Sequence, residues 1–113
     1  CYDNVSIVSV ASITSTGSRS SFSNYGAVTV DIGAPGSGVW STVPGTGNTS
    51  AYASYNGTSM AAPHVTGVLA LIAATDPGYR GLKLKGALLR RGTPTTTLSG
   101  ITQTGDRTNG ALR

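Results

Sequence analysis

Apolar residues along this chain gather into short dense runs separated by Gly, Ser, Thr and Pro, and only two runs are long enough for a helix. Val5, Ile7, Val8, Val10, Ala11 and Ile13 alternate imperfectly, the pattern of a strand covered on both faces as in a parallel sheet. Thr14 to Ser21 is a polar turn region, and Phe22 to Tyr25 is short and irregular. Val28 to Ile32 predicts another buried strand, stopped by Gly33 and Pro35. Val39 to Val43 predicts a third, ended by Pro44-Gly45, and Thr46 to Ser54 reads as a polar loop. A helix is predicted from Ser59 to Thr75, apolar nearly all round and so buried rather than amphipathic. Asp76-Pro77-Gly78 breaks it. A second helix, Leu82 to Arg91, ends at Gly92 with Pro94 beyond. The tail from Thr95 is polar, with only Leu98, Ile101 and Leu112 to anchor it. No repeat or linker interrupts the chain, so residues 1–113 read as one structural unit.

The chemistry concentrates where the polar loop meets the first helix, at Asn56-Gly57-Thr58-Ser59-Met60-Ala61-Ala62-Pro63-His64-Val65-Thr66-Gly67. Ser59 is predicted at or near a helix N-terminus, where unsatisfied N–H groups and the positive dipole end favour developing negative charge. Gly57 allows the backbone to approach a ligand closely. Ala61 and Ala62 leave room above the turn, and Pro63 is expected near the first helical turn. The nucleophile elbow of α/β-hydrolases does not apply, since Gly57-Thr58-Ser59-Met60-Ala61 lacks its second glycine.

The run resembles the serine-nucleophile motif of the subtilisin-like serine proteases, Gly-Thr-Ser-x-Ala-x-Pro-His-Val-x-Gly, and matches every fixed position. The resemblance extends through Tyr2-Asp3-Asn4-Val5, Ser21-Phe22-Ser23-Asn24-Tyr25-Gly26 and Val30-Asp31-Ile32-Gly33-Ala34-Pro35-Gly36. It implies the C-terminal part of a subtilisin-like catalytic domain: an α/β fold with a parallel sheet flanked by helices, incomplete because only the C-terminal portion is present. By the same resemblance Ser59 is the catalytic nucleophile. Thr58 and the Ser59 N–H are oxyanion donors, and Tyr55, Asn56 and Met60 lie with Gly57 on the substrate side of the cleft. The family's catalytic aspartate, catalytic histidine and oxyanion-hole asparagine have no counterpart in this sequence.

His64, the only histidine, invites pairing with Ser59, but five helical residues advance by about 500°, leaving the side chains some 140° apart. It is therefore expected to be structural, buried and hydrogen-bonded, and not the base. Met60, adjacent to the nucleophile, is expected to be prone to sulfoxide formation. Of the four carboxylates, Asp3, Asp31, Asp76 and Asp106, none sits in the family's aspartate motif. Asp76 is read as a helix terminator and Asp106 as a turn residue. By the resemblance, Asp31, with carbonyls near Tyr2 and Val5, is a candidate for a weak structural calcium site of the kind some members of that family have, while no cofactor is required for the chemistry and no metal site is assigned. Three Asn-x-Ser/Thr sequons, at Asn4, Asn48 and Asn56, match the glycosylation pattern. The one at Asn56 lies inside the serine turn and is read as fortuitous.

Composition narrows the setting. A Gly-, Ser- and Thr-rich chain without glutamate suits the short strands and tight turns of a secreted protein, and its apolar runs are too good for a disordered tail. The net charge is +4, with Arg80, Lys83, Lys85, Arg90 and Arg91 in one segment. A basic binding module is the weaker rival there. With no interleaved aromatics, the segment is read as the solvated face of a helix backed by Leu82, Leu84, Leu88 and Leu89, and no nucleic acid partner is expected. No stretch approaches the ~20 apolar residues of a membrane span. The single Cys1 either pairs with an upstream cysteine or is a buried free thiol. Beginning at Cys1, the chain reads as a processed product, an excised fragment or a partial reading frame.

The expected function is serine endopeptidase activity within a longer enzyme, with peptide or protein substrates outside the cytoplasm. The expected partner is the missing N-terminal part of the same domain, and the isolated chain is expected to be inactive. The alternative is a non-catalytic fragment or structural subunit needing a complementing piece. Because the helix after Ser59 expects more neighbouring strands than the chain supplies, exposed apolar surface and association are expected.

Overall fold

The computed structural model describes residues 5–102 and 110–111. Cys1, the Tyr2 carbonyl, Asp3, Asn4, Asp106 and Leu112, named above, lie outside the described residues. In chain order the elements are β1 (Val10–Ile13), β2 (Ile32–Pro35), β3 (Val39–Pro44), β4 (Ser50–Tyr55), α1 (Thr58–Thr75), α2 (Leu82–Arg90), β5 (Thr93–Pro94) and β6 (Gly110–Ala111). β1 and β2 pair in parallel from Val10 opposite Ile32 to Ile13 opposite Pro35. β6 adds to β2 in parallel through Gly33 and Ala111, and β5 closes the sheet antiparallel to β6. β3 and β4 form a separate antiparallel hairpin.

The core lies between this sheet and the two helices. Ile32 and Ala34 of β2 meet Ala61, Val65 and Ile72 of α1 and Ala87 and Leu88 of α2. Behind the sheet, Ile13 packs on Leu98 and Ile101. The α/β architecture with a mainly parallel sheet is as expected. β2, however, is displaced: it begins at Ile32 and runs through Gly33 to Pro35, where the sequence suggested a stop. Gly33 is there because a Cβ would stand 3.0 Å from both Ile13 Cγ2 and Leu98 Cδ1. Pro35 is tolerated as the strand's last residue, where its lost N–H matters least.

The helices depart from expectation in what they bury. α1 buries one stripe, Ala61, Val65 and Ile72, while Leu71 on another side is 68% exposed. The described elements pack against only one side of an apolar helix. By length and composition α1 is also apolar enough to cross a membrane, a test that a core helix passes equally. In α2, Leu82 is exposed rather than part of the apolar face. Lys85, expected in water, turns inward. Its Nζ lies 3.1 Å from Asp31 Oδ1 and donates to Ile7 O, while Ser9 N–H donates to Asp31 Oδ2 at 2.8 Å. An ammonium therefore lies against both carboxylate oxygens of Asp31, the residue suggested for a calcium site. Among the described residues no cluster of His, Cys, Asp or Glu could hold a metal ion.

The predicted loop Thr46 to Ser54 is largely strand. A one-turn 3-10 helix, Thr46–Asn48, with Gly47 at φ 65° reverses the chain, and Gly45 N–H donates to Thr49 O at 2.9 Å. β4 then runs Ser-Ala-Tyr-Ala-Ser-Tyr, with Ala51 and Ala53 half-buried and the other positions exposed. Alanine is too weakly apolar to make that alternation visible in a sequence.

Candidate active site

Ser59 is the second residue of α1, preceded by the cap Gly57 in extended conformation. A residue so placed offers a backbone N–H with no intrahelical acceptor. Met60 N–H closes the first turn on Gly57 O at 3.0 Å. Pro63 is further into the helix than expected, at its sixth residue. It lacks the N–H that would bond Ser59 O, and its φ restriction fixes the local path of the second turn.

The turn before Ser59 is held by the segment leaving β2. Gly57 N–H donates to Gly36 O at 2.8 Å, and Gly38 N–H donates to Asn56 Oδ1 at 2.6 Å. Gly36 cannot carry a side chain: a Cβ there would overlap Ser12 Oγ and stand 2.6 Å from Gly57 O. Gly57 is different. A Cβ there meets no protein atom nearer than Met60 Sδ at 3.5 Å, so packing within the chain leaves open space in front of the serine turn. This turn lies beyond the carboxyl ends of β1 and β2, where open α/β sheets place their ligands.

Ser59 and Met60 line a groove of about 350 Å³ together with Val39, Trp40, Ser41, Pro63 and His64. None of these side chains carries a fixed charge. Asn56, Gly57 and Thr58 stand immediately before the groove. Tyr55, at the end of β4, is 51% exposed and not part of its lining. Trp40, the only tryptophan, is 71% exposed at the groove's edge. Sequence reasoning missed Val39, Trp40 and Ser41 as site residues, because the hairpin that brings β3 beside α1 rests on the unrecognised strand β4.

His64 is hydrogen-bonded, as expected, but exposed rather than buried. Side chains on a helix lean toward its N-terminus, and Nδ1 reaches Met60 O at 2.8 Å. Because a carbonyl only accepts, Nδ1 carries the proton and Nε2 of the neutral ring is the acceptor. That lean brings His64 to the same groove as Ser59 despite their angular separation. Among the described residues none is hydrogen-bonded to the Ser59 hydroxyl, His64 included. Asp76 caps the end of α1, and its Oδ1 accepts from Gly78 N–H at 2.9 Å, the terminator role expected of it.

Comparisons with known proteins agree with this geometry. Alkaline elastase YaB of Bacillus sp. (strain YaB) is 48% identical over 87 residues, covering 77% of this chain and 21% of its own. Thermitase of Thermoactinomyces vulgaris is 54% identical over 67 residues, 59% of this chain and 22% of its own. An extracellular protease of Xanthomonas campestris pv. campestris is 47% identical over 74 residues, 63% of this chain and 13% of its own. The chain thus spans roughly a fifth or less of these relatives' lengths. The crystal structure of a cold adapted subtilisin-like serine proteinase superposes with TM-score 0.70 at 39% identity, over 95% of this chain and 36% of that one. The fold is therefore a part of the subtilisin-like fold. The profile of the subtilase family matches residues 2–108, and the chain belongs to that family.

Proposed function

We propose that this chain supplies the nucleophile of a serine endopeptidase, with Ser59 attacking the peptide carbonyl as part of a longer subtilisin-like enzyme. The observation that carries the reading is Ser59 at the start of α1, facing an uncharged groove with open space before Gly57. In the attack, the Ser59 Oγ–carbon bond forms as its proton passes to a general base. The tetrahedral oxyanion is met by the Ser59 N–H, assisted by Thr58. Collapse expels the amine and leaves an acyl-enzyme that water hydrolyses. Loss of a single oxyanion donor costs roughly 3–4 kcal/mol, a figure whose worked case is subtilisin itself. Asn56, held through Oδ1 by Gly38, and Met60 flank the side from which the amine departs, with Tyr55 further out.

The base and its aspartate belong to the remainder of the enzyme, so the chain alone is inactive. No cofactor enters the chemistry. Substrates are peptides or proteins outside the cytoplasm, in keeping with relatives named as an extracellular protease and an alkaline elastase. The test is labelling by a fluorophosphonate, alone and after mixing with an N-terminal fragment from a related subtilase. Labelling at Ser59 only in the mixture supports the reading. Labelling by the chain alone would overturn its inactivity and direct attention to Nε2 of His64. No labelling in any complemented form would favour a non-catalytic subunit.

A further inference from the structure

Ser37 sits between the two glycines that hold the serine turn, and its hydroxyl lies 2.6 Å from Ser20 Oγ. Ser20 Oγ in turn lies 2.8 Å from Ser12 Oγ in β1. Ser12 and Ser20 are fully or almost fully buried, at 0% and 2% exposure. Their backbones are also tied: Ser20 N–H donates to Ser12 O at 2.9 Å, and Ser12 N–H donates to Ser23 Oγ at 2.8 Å. Three hydroxyls therefore run in a line from Ser12 of β1, at one edge of the sheet, to the strap Gly36-Ser37-Gly38.

One backbone bond, Gly36 N–H to Ile13 O at 3.1 Å, already ties the strap's first residue to β1, and the Ser37 hydroxyl adds a side-chain tie at its second. Gly36 and Gly38 have the widest backbone freedom of any residue, and Gly38 uses it at φ 65°. Ser37 carries the only side chain in the strap. On either side of it, Gly36 O receives Gly57 N–H and Gly38 N–H reaches Asn56 Oδ1. A shift of Ser37 moves both contacts, and with them the two residues that precede Thr58 and Ser59. A line of hydroxyls polarises along its length, each bond strengthening the next.

We propose that the Ser12–Ser20–Ser37 hydroxyl line is a positioning device for the nucleophile turn, fixing the strap to the sheet. Ser37 and Ser20 are then positioning residues for Ser59 and touch no substrate. The inference rests on Ser59 being the nucleophile, and the experiment separates the two. In the full chain, amide hydrogen exchange at Gly38 and Gly57 is compared for wild type, Ser37→Ala, Ser20→Ala and Ser37→Thr. Loss of one hydroxyl bond should speed exchange at those two amides about fivefold, leaving α1 amides such as Val65 unchanged. Ser37→Thr, which keeps the hydroxyl, should restore protection. Unchanged exchange at Gly38 and Gly57, or an equal rise at every amide, overturns the device.

A second arm measures fluorophosphonate labelling of the complemented enzyme. Ser37→Ala should lower the maximal labelling rate about tenfold, since small misplacements of reacting groups cost up to about a hundredfold. The reversible affinity for the probe should stay constant. Loosened amides with an unaltered rate would overturn positioning. If complemented wild type fails to label, the reading of Ser59 falls, and the amide arm still decides whether the hydroxyl line holds the turn.

Discussion

The sheet–helix body and the β3–β4 hairpin both border Ser59, yet they are built in opposite ways. In the body, Ile32, Ala34, Ala61 and Leu88 are fully buried, and the strap after β2 fastens the serine turn to it by one backbone bond from Gly57 N–H and one from Gly38 N–H to the Asn56 side chain. In the hairpin no residue with a described side chain is buried on either strand, and Trp40 and Tyr52 are each 71% exposed. Hydrophobic stabilisation follows the area removed from water, so the body carries the stability and the hairpin contributes a wall. Stability and site composition are thus separable in this chain, and substitutions can be chosen to affect one without the other.

The largest contrast is between cores and rims. Leu88→Ala, in a fully buried position, should cost about 2–5 kcal/mol in urea unfolding, whereas Tyr52→Ala should stay within about 0.5 kcal/mol. Equal losses would mean that the hairpin is buried in solution. Next comes the inward ion pair. Its side chains are only 18% and 12% exposed for Lys85 and Asp31, so Lys85→Met takes the compensating charge from a largely buried carboxylate and should cost about 3 kcal/mol. The double variant Lys85→Met/Asp31→Leu should recover most of that loss. A double variant as unstable as the single one would show that the bond Asp31 accepts from Ser9 N–H, and not its charge pairing with Lys85, carries the loss.

The two glycines on either side of one hydrogen bond sharpen the contrast further. Gly36→Ala forces an overlap with Ser12 and Gly57 and should cost about 1–3 kcal/mol as an overpacked site. Gly57→Ala meets no close protein atom, so unfolding should shift by no more than about 0.5 kcal/mol. Its methyl group enters the space before Ser59, however, and labelling of the complemented enzyme should fall steeply. Melts that rank the two glycines the other way round would overturn this division.

How much of this could be read in the sequence divides along the same line. The helix boundaries came within a residue, because Asp76-Pro77-Gly78 and Gly92 are chemical stops that no tertiary contact overrides. The serine turn was legible because its residue types are dictated locally. β2 was misplaced because Gly33 and Pro35 look like breakers, while the packing of Ile13 and Leu98 is what demands the glycine. Non-local contacts of this kind leave no mark in a local pattern. The groove's outer wall was missed for a related reason. β4 alternates alanine with serine and tyrosine, a contrast too shallow to register, so nothing linked Trp40 to Ser59. The pattern of α2 puts Lys85 in solvent because periodicity reports a residue's face and not where a flexible four-carbon stem can reach.

The smallest effect tests the hairpin most directly. Trp40 is the sole tryptophan, so indole emission reports this one position at the groove's edge. At 71% exposure its emission should match that of a water-exposed indole and hardly change through a urea transition followed by circular dichroism. Trp40→Ser should accordingly leave the midpoint within about 0.5 kcal/mol of wild type. The exposed side of α1, marked by Leu71, gives a competing route, since large exposed apolar patches favour association. If copies of the chain associate through α1 alone, Trp40 emission stays constant as concentration rises. A blue shift on concentration would instead mean that the hairpin and groove are covered by a second copy, and the open approach to Ser59 would then belong only to the dilute chain.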